Sequence, residues 1–445
     1  MRDQRVIKLT QFITARRISL GLILLLALVM YVSTLIPQTI DTSPGKVEEW
    51  RRAHHGLLWL VDAAHLHALY AQPWFAVVIL FAAISLGVSS LDQWRVARKK
   101  LSSTAVGSGE ELAASIHKNQ LQSVARSHRY QMLRGLPGTQ PKFVKNPWGY
   151  FGVVMLHIGM TLVVAVSLYV SLTGRHGALI LIEGELRDIR QPWDVSEQGL
   201  FSSPLLLPGS IRLDKVRVSF DSKNQPTDVV SDLSITGQSG LVDSFSASIN
   251  RITRYKGLRI YHAAQHGDAF TVTFTDRSGD THTEKVLVQQ PLGLEMAGYS
   301  TDFSVTWSPY LFGAKYYADA DKKSMLSTDP QLVLRMLEGE TEIARMALTP
   351  GDSGTLGEYR VRLAKVEKWA KLIVVDISGM SLIFAGFAII MLGGMTHYMT
   401  PPRELIGVKQ VDGSYRVYWK AVAFKDFYGD ERDEISRDLK RESIV

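Results

Sequence analysis

The sequence predicts a membrane protein with four transmembrane helices and a large extracytoplasmic all-β, sandwich-like domain between the third and fourth. Three observations carry this. Four apolar segments are long enough to cross a bilayer. Lysine and arginine concentrate on alternate connections between them. The long stretch after the third segment alternates apolar and polar residues with period two and is punctuated by turn residues.

The segments follow in order. Residues 1–17 carry five Lys/Arg against one acid and are expected in the cytoplasm. The first span is 18–36, ISLGLILLLALVMYVSTLI, closed by Pro37. Its apolar run is longer than that of a usual signal peptide and no small-x-small site follows it, so it reads as an uncleaved anchor. Residues 37–72 form an extracytoplasmic loop, with three basic and four acidic residues over 37–71. Its segment KVEEWRRAHHGLLWLVDAAHLHALY suits a short amphipathic helix on the outer membrane surface. The second span, 73–91, leads to a cytoplasmic loop, 92–147, with ten basic residues against three acids. That loop, GSGEELAASIHKNQ and onward, reads as a linker with one polar helix. The third span is 148–172 and the fourth 372–399, which leaves 400–445 as a cytoplasmic tail by parity. Trp74, Trp94, Trp148, Tyr150 and Tyr398 stand at span ends, where aromatic belts form.

Residues 173–371 form the extracytoplasmic β domain; over 173–372 the charges nearly balance, 23 basic against 25 acidic. SIRLDKVRVSF puts Ile211, Leu213 and then Val216, Val218 and Phe220 on alternating positions. FTVTFTDRSGDTHTEKVLV reads as a hairpin turning at Arg277-Ser278-Gly279-Asp280, and QLVLRMLEGETEIARMALTP as another around Glu338-Gly339-Glu340. EYRVRLAKVEKWAKLIVV runs toward the fourth span.

The 445 residues have a mean hydropathy of +0.03 beside 21% charged side chains, an average of membrane and soluble sequence. There is no cysteine, which excludes disulfides, thiolate metal sites and thiol–disulfide chemistry within this chain. The net charge of +7 lies on membrane-flanking segments rather than on one soluble face, so no nucleic-acid partner is expected. No Walker loop, GxSxG, HExxH, CxxC or CxxCH is present, and no catalytic residue is assigned.

The remaining signals lie in the histidines and the helix faces. His157 is the ionisable residue deep in a span, nine residues past Trp148, or roughly 13 Å of helix rise from the cytoplasmic end. Such residues are costly and usually face a bundle interior or cavity. Two readings are open: a neutral imidazole bonded to helix backbone or to a Ser/Thr, or an axial ligand to haem iron in apolar surroundings. His54, His55, His65 and His67 cluster in the first loop. His65-x-His67 has a spacing that can bind metal, although interfacial helices often carry such residues. His262 and His266 follow a strand, and His397 sits at the inner end of the fourth span. Gly379, Gly386 and Gly393 recur every seven residues along the fourth span, and Ala82, Ser85 and Ser89 share a face of the second; small residues let membrane helices approach closely.

With these landmarks placed, the chain resembles the ResB/CcsB family of System II cytochrome c biogenesis proteins over most of its length. The first span leaves through TLIPQ (34–38). The second is entered through HALYAQPWFAVVILF, the third contains MLHIGM, and the β domain contains INRITRYKGLRIYHAAQHGD. The fourth span opens with VVDISGMSLIFAGF. Tyr261-His262 stands where the family often has YQ. The resemblance implies a subunit in the bacterial cytoplasmic (inner) membrane, part of a complex that exports haem and attaches it to apocytochrome c outside. It implies a non-catalytic or shared-site subunit of a cytochrome c haem lyase, working with a ResC/CcsA-type partner whose tryptophan-rich motif is absent here. It carries the family's intramembrane histidine onto His157, as one axial ligand of a transient haem b, with the second from the partner. The competing expectation is a membrane-anchored sensor or structural assembly subunit, with a ligand-binding outer β domain and no haem.

Overall fold

A computed structural model describes residues 16–441 apart from positions 41, 43, 108, 134–139, 189, 238, 250, 301 and 327. Its helices are α1 (Arg16–Leu35), α2 (Pro44–Ala53), α3 (Leu58–Ala63), α4 (Pro73–Ser102), α5 (Lys118–Ser127), α6 (Gly152–Thr173), α7 (Met380–Met399) and α8 (Gly429–Arg441). Among the described residues, three helices are long and apolar enough to cross a membrane: Pro73–Ser102, Pro147–Thr173 and Met380–Met399. Leu20–Leu35, within α1, is a shorter apolar helix. The chain divides into two compact units, one of residues 1–27, 77–169 and 379–445, the other of 28–76 and 170–378.

The β-rich unit is built on two 18-residue strands, Leu258–Thr275 and Tyr359–Asp376, paired antiparallel. At about 3.3 Å per residue each is roughly 60 Å long. They form the spine of a seven-stranded sheet. Near one end of this spine, Ile260, Leu372 and Val374 pack against Ile211, Leu213 and Leu233 of a four-stranded sheet. Near the other, Phe270, Phe274 and Val361 pack against Phe312, Leu332 and Leu334 of a five-stranded sheet. Each core holds sixteen buried side chains, so neither is a satellite of the other. The expected sandwich is therefore two face-to-face packings sharing one long sheet. The predicted hairpins are present, Thr275 pairing Thr281 and Glu338 pairing Thr341, with Gly279 and Gly339 at positive φ. The jump from Leu213 to Val216 in the buried pattern is a β-bulge, marked by a register shift between Leu213 and Lys215.

The boundary of the fourth apolar segment differs from the expected 372. Residues 372–376 finish the strand Tyr359–Asp376, and α7 begins at Met380. A short run such as LIVV is ambiguous by periodicity. Here Leu372, Ile373, Val374 and Val375 are buried and pair with 176–179. Gly379, at φ 99°, then supplies the left-handed turn that starts the helix.

The first loop belongs to the β-rich unit. Thr39 donates to Glu197 at 2.6 Å, and the buried Lys371 ammonium donates to the Thr42 carbonyl at 3.1 Å. Gln38 explains the IPQ exit: its amide donates to the carbonyls of Ser33 (3.3 Å), Ile36 (3.0 Å) and Leu66 (3.0 Å). It satisfies acceptors that the end of α1 leaves open and ties them to the turn before α4. In place of one amphipathic helix the loop folds as α2, α3 and short 3₁₀ turns.

The other unit corrects the reading of 92–147 as a linker and joins part of the 400–445 tail to it. The strands Glu110–Ile116, Tyr415–Ala421, Arg403–Lys409, Lys142–Lys145 and Gln131–Met132 lie in that order in one antiparallel sheet. Phe143, Leu405, Val417 and Trp419 from it pack with Leu121 of α5 and Ile435 and Leu439 of α8. Tyr150 is likewise not a belt residue: it is buried, and its hydroxyl donates to Glu404, whose carboxylate also lies 3.3 Å from the Lys142 ammonium. Burial pulls the Lys142 ammonium below its ordinary range, with Glu404 opposing. Trp74, Trp94, Trp148 and Tyr398 are exposed.

Candidate functional site

The chain enters α6 through Asn146 in a left-handed conformation, then a 3₁₀ turn over Pro147–Phe151. His157 follows in the second turn of α6 and is half-buried. Its Nδ1 lies 2.9 Å from the Val153 carbonyl. A carbonyl only accepts, so a neutral ring places its proton on Nδ1 and leaves the lone pair on Nε2. Backbone orientation of one ring nitrogen is the usual way a ligating histidine is set. Four residues on, and so on the same face, the Thr161 hydroxyl donates to the His157 carbonyl at 2.7 Å. Thr161 Oγ1 also lies 2.9 Å from Ser90 Oγ of α4. Ala82 and Ser85 are buried, as their small-residue face predicts, while Ser89 is half-buried.

The glycine stripe of α7 packs on α6. A Cβ at Gly386 would stand 2.7 Å from Val163 Cγ2, and one at Gly393 would stand 2.7 Å from Leu156 N and 2.8 Å from Gly152 O. Gly379 faces α6 as well, a Cβ there standing 3.0 Å from Val166 Cγ1, and it is also the left-handed cap described above. The facing glycines went unread in the sequence: a Cβ at Gly159 would meet Ile390 at 2.6 Å and Gly386 O at 2.8 Å, and one at Gly152 would meet the His397 backbone at 2.6 Å. Gly152 and Gly159 carry the same seven-residue spacing, which was the available signal. His157 thus sits on a helix fixed against α7 by backbone-to-backbone contact.

Several of the other histidines named above are engaged locally. His54 stacks on Trp50 with centroids 4.4 Å apart, and its Nδ1 lies 2.8 Å from the Trp50 carbonyl. His67 Nδ1 lies 2.9 Å from the Pro37 carbonyl, while His65 is a left-handed residue before a 3₁₀ turn. His397 lies edge-on to Tyr398. Among the described residues no group of three or more His, Cys, Asp or Glu side chains is placed to hold a metal ion.

His262 and His266 occupy a place the sequence did not reveal. Between them the strand Leu258–Thr275 bulges: His262 pairs with Leu372 and His266 with Ala370, so four steps on one strand match two on the other. The bulge lies where one core of the spine gives way to the next. Both rings are buried and stand edge to face, 5.8 Å apart. Each Nδ1 contacts a nearby carbonyl, of Ala263 and Ala264. Each Nε2 is buried with no hydrogen-bond partner among the described residues. Burial lowers both pKa values, that of His266 to about 4 with the neighbouring His262 adding to the effect, so both rings are neutral at pH 7. Asp268, two residues on, accepts from the Lys368 ammonium at 2.9 Å. His266 lines a cavity of about 310 Å³ together with Asp228, Ile249 and Gln290.

Comparisons with known proteins give cytochrome c biogenesis relatives. The chain is 25% identical over 259 residues to a cytochrome c biogenesis protein CcsB of Synechococcus sp. (strain JA-3-3Ab), covering 56% of this chain and 53% of that one. It is 19% identical over 425 residues to the CcsB protein of Prochlorococcus marinus (strain NATL1A), covering 88% and 89%. A third CcsB protein, from Synechococcus sp. (strain JA-2-3B'a(2-13)), is 24% identical over 257 residues, with 56% and 54% covered. The chain thus spans about half the length of two of these curated relatives and most of the other. The model of the ResB-like family matches residues 16–423, a range that takes in α1, the glycine-packed α6 and α7, the β-rich unit and the closing sheet, and the chain belongs to that family.

Proposed function

We propose that this chain is a four-pass subunit of a cytochrome c maturation complex in the bacterial cytoplasmic membrane. In this reading His157 is one axial ligand of a haem b in transit, a ResC/CcsA-type partner supplies the other, and apocytochrome c receives the haem outside. The observation that carries the proposal is the His157 ring: its Nδ1 is held by the Val153 carbonyl, so that a neutral ring offers the Nε2 lone pair from an apolar helix. A neutral imidazole of this kind fits haem iron as an axial ligand. The names of the CcsB relatives support the pathway. Bound haem would supply the vinyl groups to be joined to the apocytochrome thiols; this chain's part is to hold and orient. Having no cysteine, it leaves reduction of those thiols to another protein.

The experiment is haem staining of membranes and extracytoplasmic extracts from a strain lacking this chain. Holocytochrome c falls to background while apocytochrome synthesis continues, and the gene supplied in trans restores it. Normal holocytochrome c in that strain sinks the proposal. The sensor reading draws on the cavity beside His266; it predicts a purified complex with no haem absorbance.

Co-folding supports the proposed topology. The loop 37–72 folds with the β-rich unit and 110–145 folds with 403–421; each pair must share a membrane face, and the basic excess on 92–147 directs the second pair inward. The cysteine-free background makes single labels unambiguous. Ser222→Cys in spheroplasts is expected to react with an impermeant maleimide, and Ala105→Cys and Val411→Cys only after permeabilisation. Labelling that separates Ala105 from Val411, or that reverses the pattern, overturns the assignment.

A further inference from the structure

The β-rich unit carries two uncovered apolar loops, far apart in sequence, that both fasten to helix ends. The first is Leu57, Trp59 and Leu60, which are 50%, 72% and 45% exposed. The second is Leu200, Phe201 and Leu206, at 58%, 73% and 71%. Single exposed apolar residues are ordinary, but grouped ones mark a contact surface. The first loop is tied to the start of α4, where Trp74 Nε1 donates to the Ala64 carbonyl at 3.0 Å. The second is tied to the end of α6, where the Phe201 amide donates to the Leu172 carbonyl at 2.8 Å and the Gly199 amide to Gly174 at 2.8 Å. The two helix ends stand together, because Ser171 Oγ donates to the Tyr70 carbonyl at 2.9 Å.

We propose that Leu57, Trp59, Leu60, Leu200, Phe201 and Leu206 form a lipid seat that enters the outer leaflet of the bilayer and fixes the β-rich unit against it. The occupant is the membrane because both loops are anchored at the ends of α4 and α6, where the hydrocarbon has to stop if these helices cross it. This rests on the spanning reading given above. Tryptophan and phenylalanine with leucine are the residues that settle at that boundary, and interfacial elements bury their apolar face about 5–10 Å into the headgroup and acyl region. The exposed rim suits headgroups: Arg51 and Asp62 pair at 2.6 Å, and Arg52 and His55 face solvent beside them.

The test is spin-label accessibility in the full chain, with any co-purifying partner, in nanodiscs of phosphatidylethanolamine and phosphatidylglycerol. Trp59→Cys and Phe201→Cys carry the nitroxide. Ser222→Cys in an exposed turn is the water reference, and Phe384→Cys, 66% exposed on α7, is the lipid reference. The expected result is oxygen access at Trp59 and Phe201 close to that of Phe384, with access of a nickel chelate severalfold below that of Ser222. Water-like values at Trp59 and Phe201 with a lipid-like Phe384 overturn the seat and leave the spanning reading intact. Exclusion of both reagents, with an immobilised spectrum, also overturns it, since a protein then covers the loops. A water-like Phe384 removes the spanning reading and the seat with it.

Discussion

Replacing His157 with alanine is expected to leave the complex in the membrane while stripping its haem and reducing holocytochrome c to near background. Two losses are separable. The ring bonds within its own helix, Nδ1 to the Val153 carbonyl, so its removal costs the fold about 1 kcal/mol of hydrogen bonding plus a modest packing loss. That is too little to clear the protein from the membrane. Loss of an axial ligand is a larger change in affinity for iron. The deciding measurement is the haem-to-protein ratio of the purified variant beside wild type. A structural histidine predicts the opposite pair of results, lower abundance with haem per surviving complex unchanged, and that outcome returns His157 to packing. Added imidazole is expected to restore part of the haem signal. His157→Cys is expected to retain haem with a shifted spectrum, because thiolate is also an iron ligand.

The second large effect is expected at the glycine seam. Gly393→Leu places a branched side chain where a Cβ alone would already stand 2.7 Å from Leu156 N and 2.8 Å from Gly152 O. Backbone atoms cannot swing aside as a flexible side chain does, so α6 and α7 must separate. Overpacking of this kind costs typically about 1–3 kcal/mol. A lower melting temperature and reduced complex yield are expected, with haem loss following because His157 adjoins Leu156. Gly394→Leu is the control: its nearest contact is Leu156 Cδ2 at 3.9 Å, which is ordinary van der Waals distance, and its yield should stay near wild type. Equal behaviour of the two variants would mean that the seam does not hold the helices together.

Much of this was legible in the sequence, and the failures have physical causes. The apolar segments, the turns at Gly279 and Gly339 and the stripe through Gly386 and Gly393 are local or periodic signals, and they fold as such. The sheet joining 110–145 to 403–421 was not read, because its strands come from segments separated by the whole β-rich unit. Glu110–Ile116 contains alanines and a single β-branched residue, so local propensity did not mark it. The hairpin Arg403–Lys409 to Tyr415–Ala421 did carry a signal, alternation around Asp412-Gly413. At the candidate site, His157 was found by its depth, whereas its tautomer needed the Val153 contact. The buried pair His262 and His266 depends on a bulge whose register only strand pairing defines.

The order of strands in the helix-and-sheet unit also bears on biosynthesis. The hairpin of Arg403–Lys409 and Tyr415–Ala421 lies between Glu110–Ile116 and Lys142–Lys145, two strands that emerge from the ribosome long before it. Until it arrives they have no common neighbour, and each offers an open edge to any other extended chain. Translation proceeds from the N-terminus, so this unit cannot close until α7 and the residues beyond it have been made. The late hairpin therefore acts as a clasp that makes the early strands wait for the downstream chain.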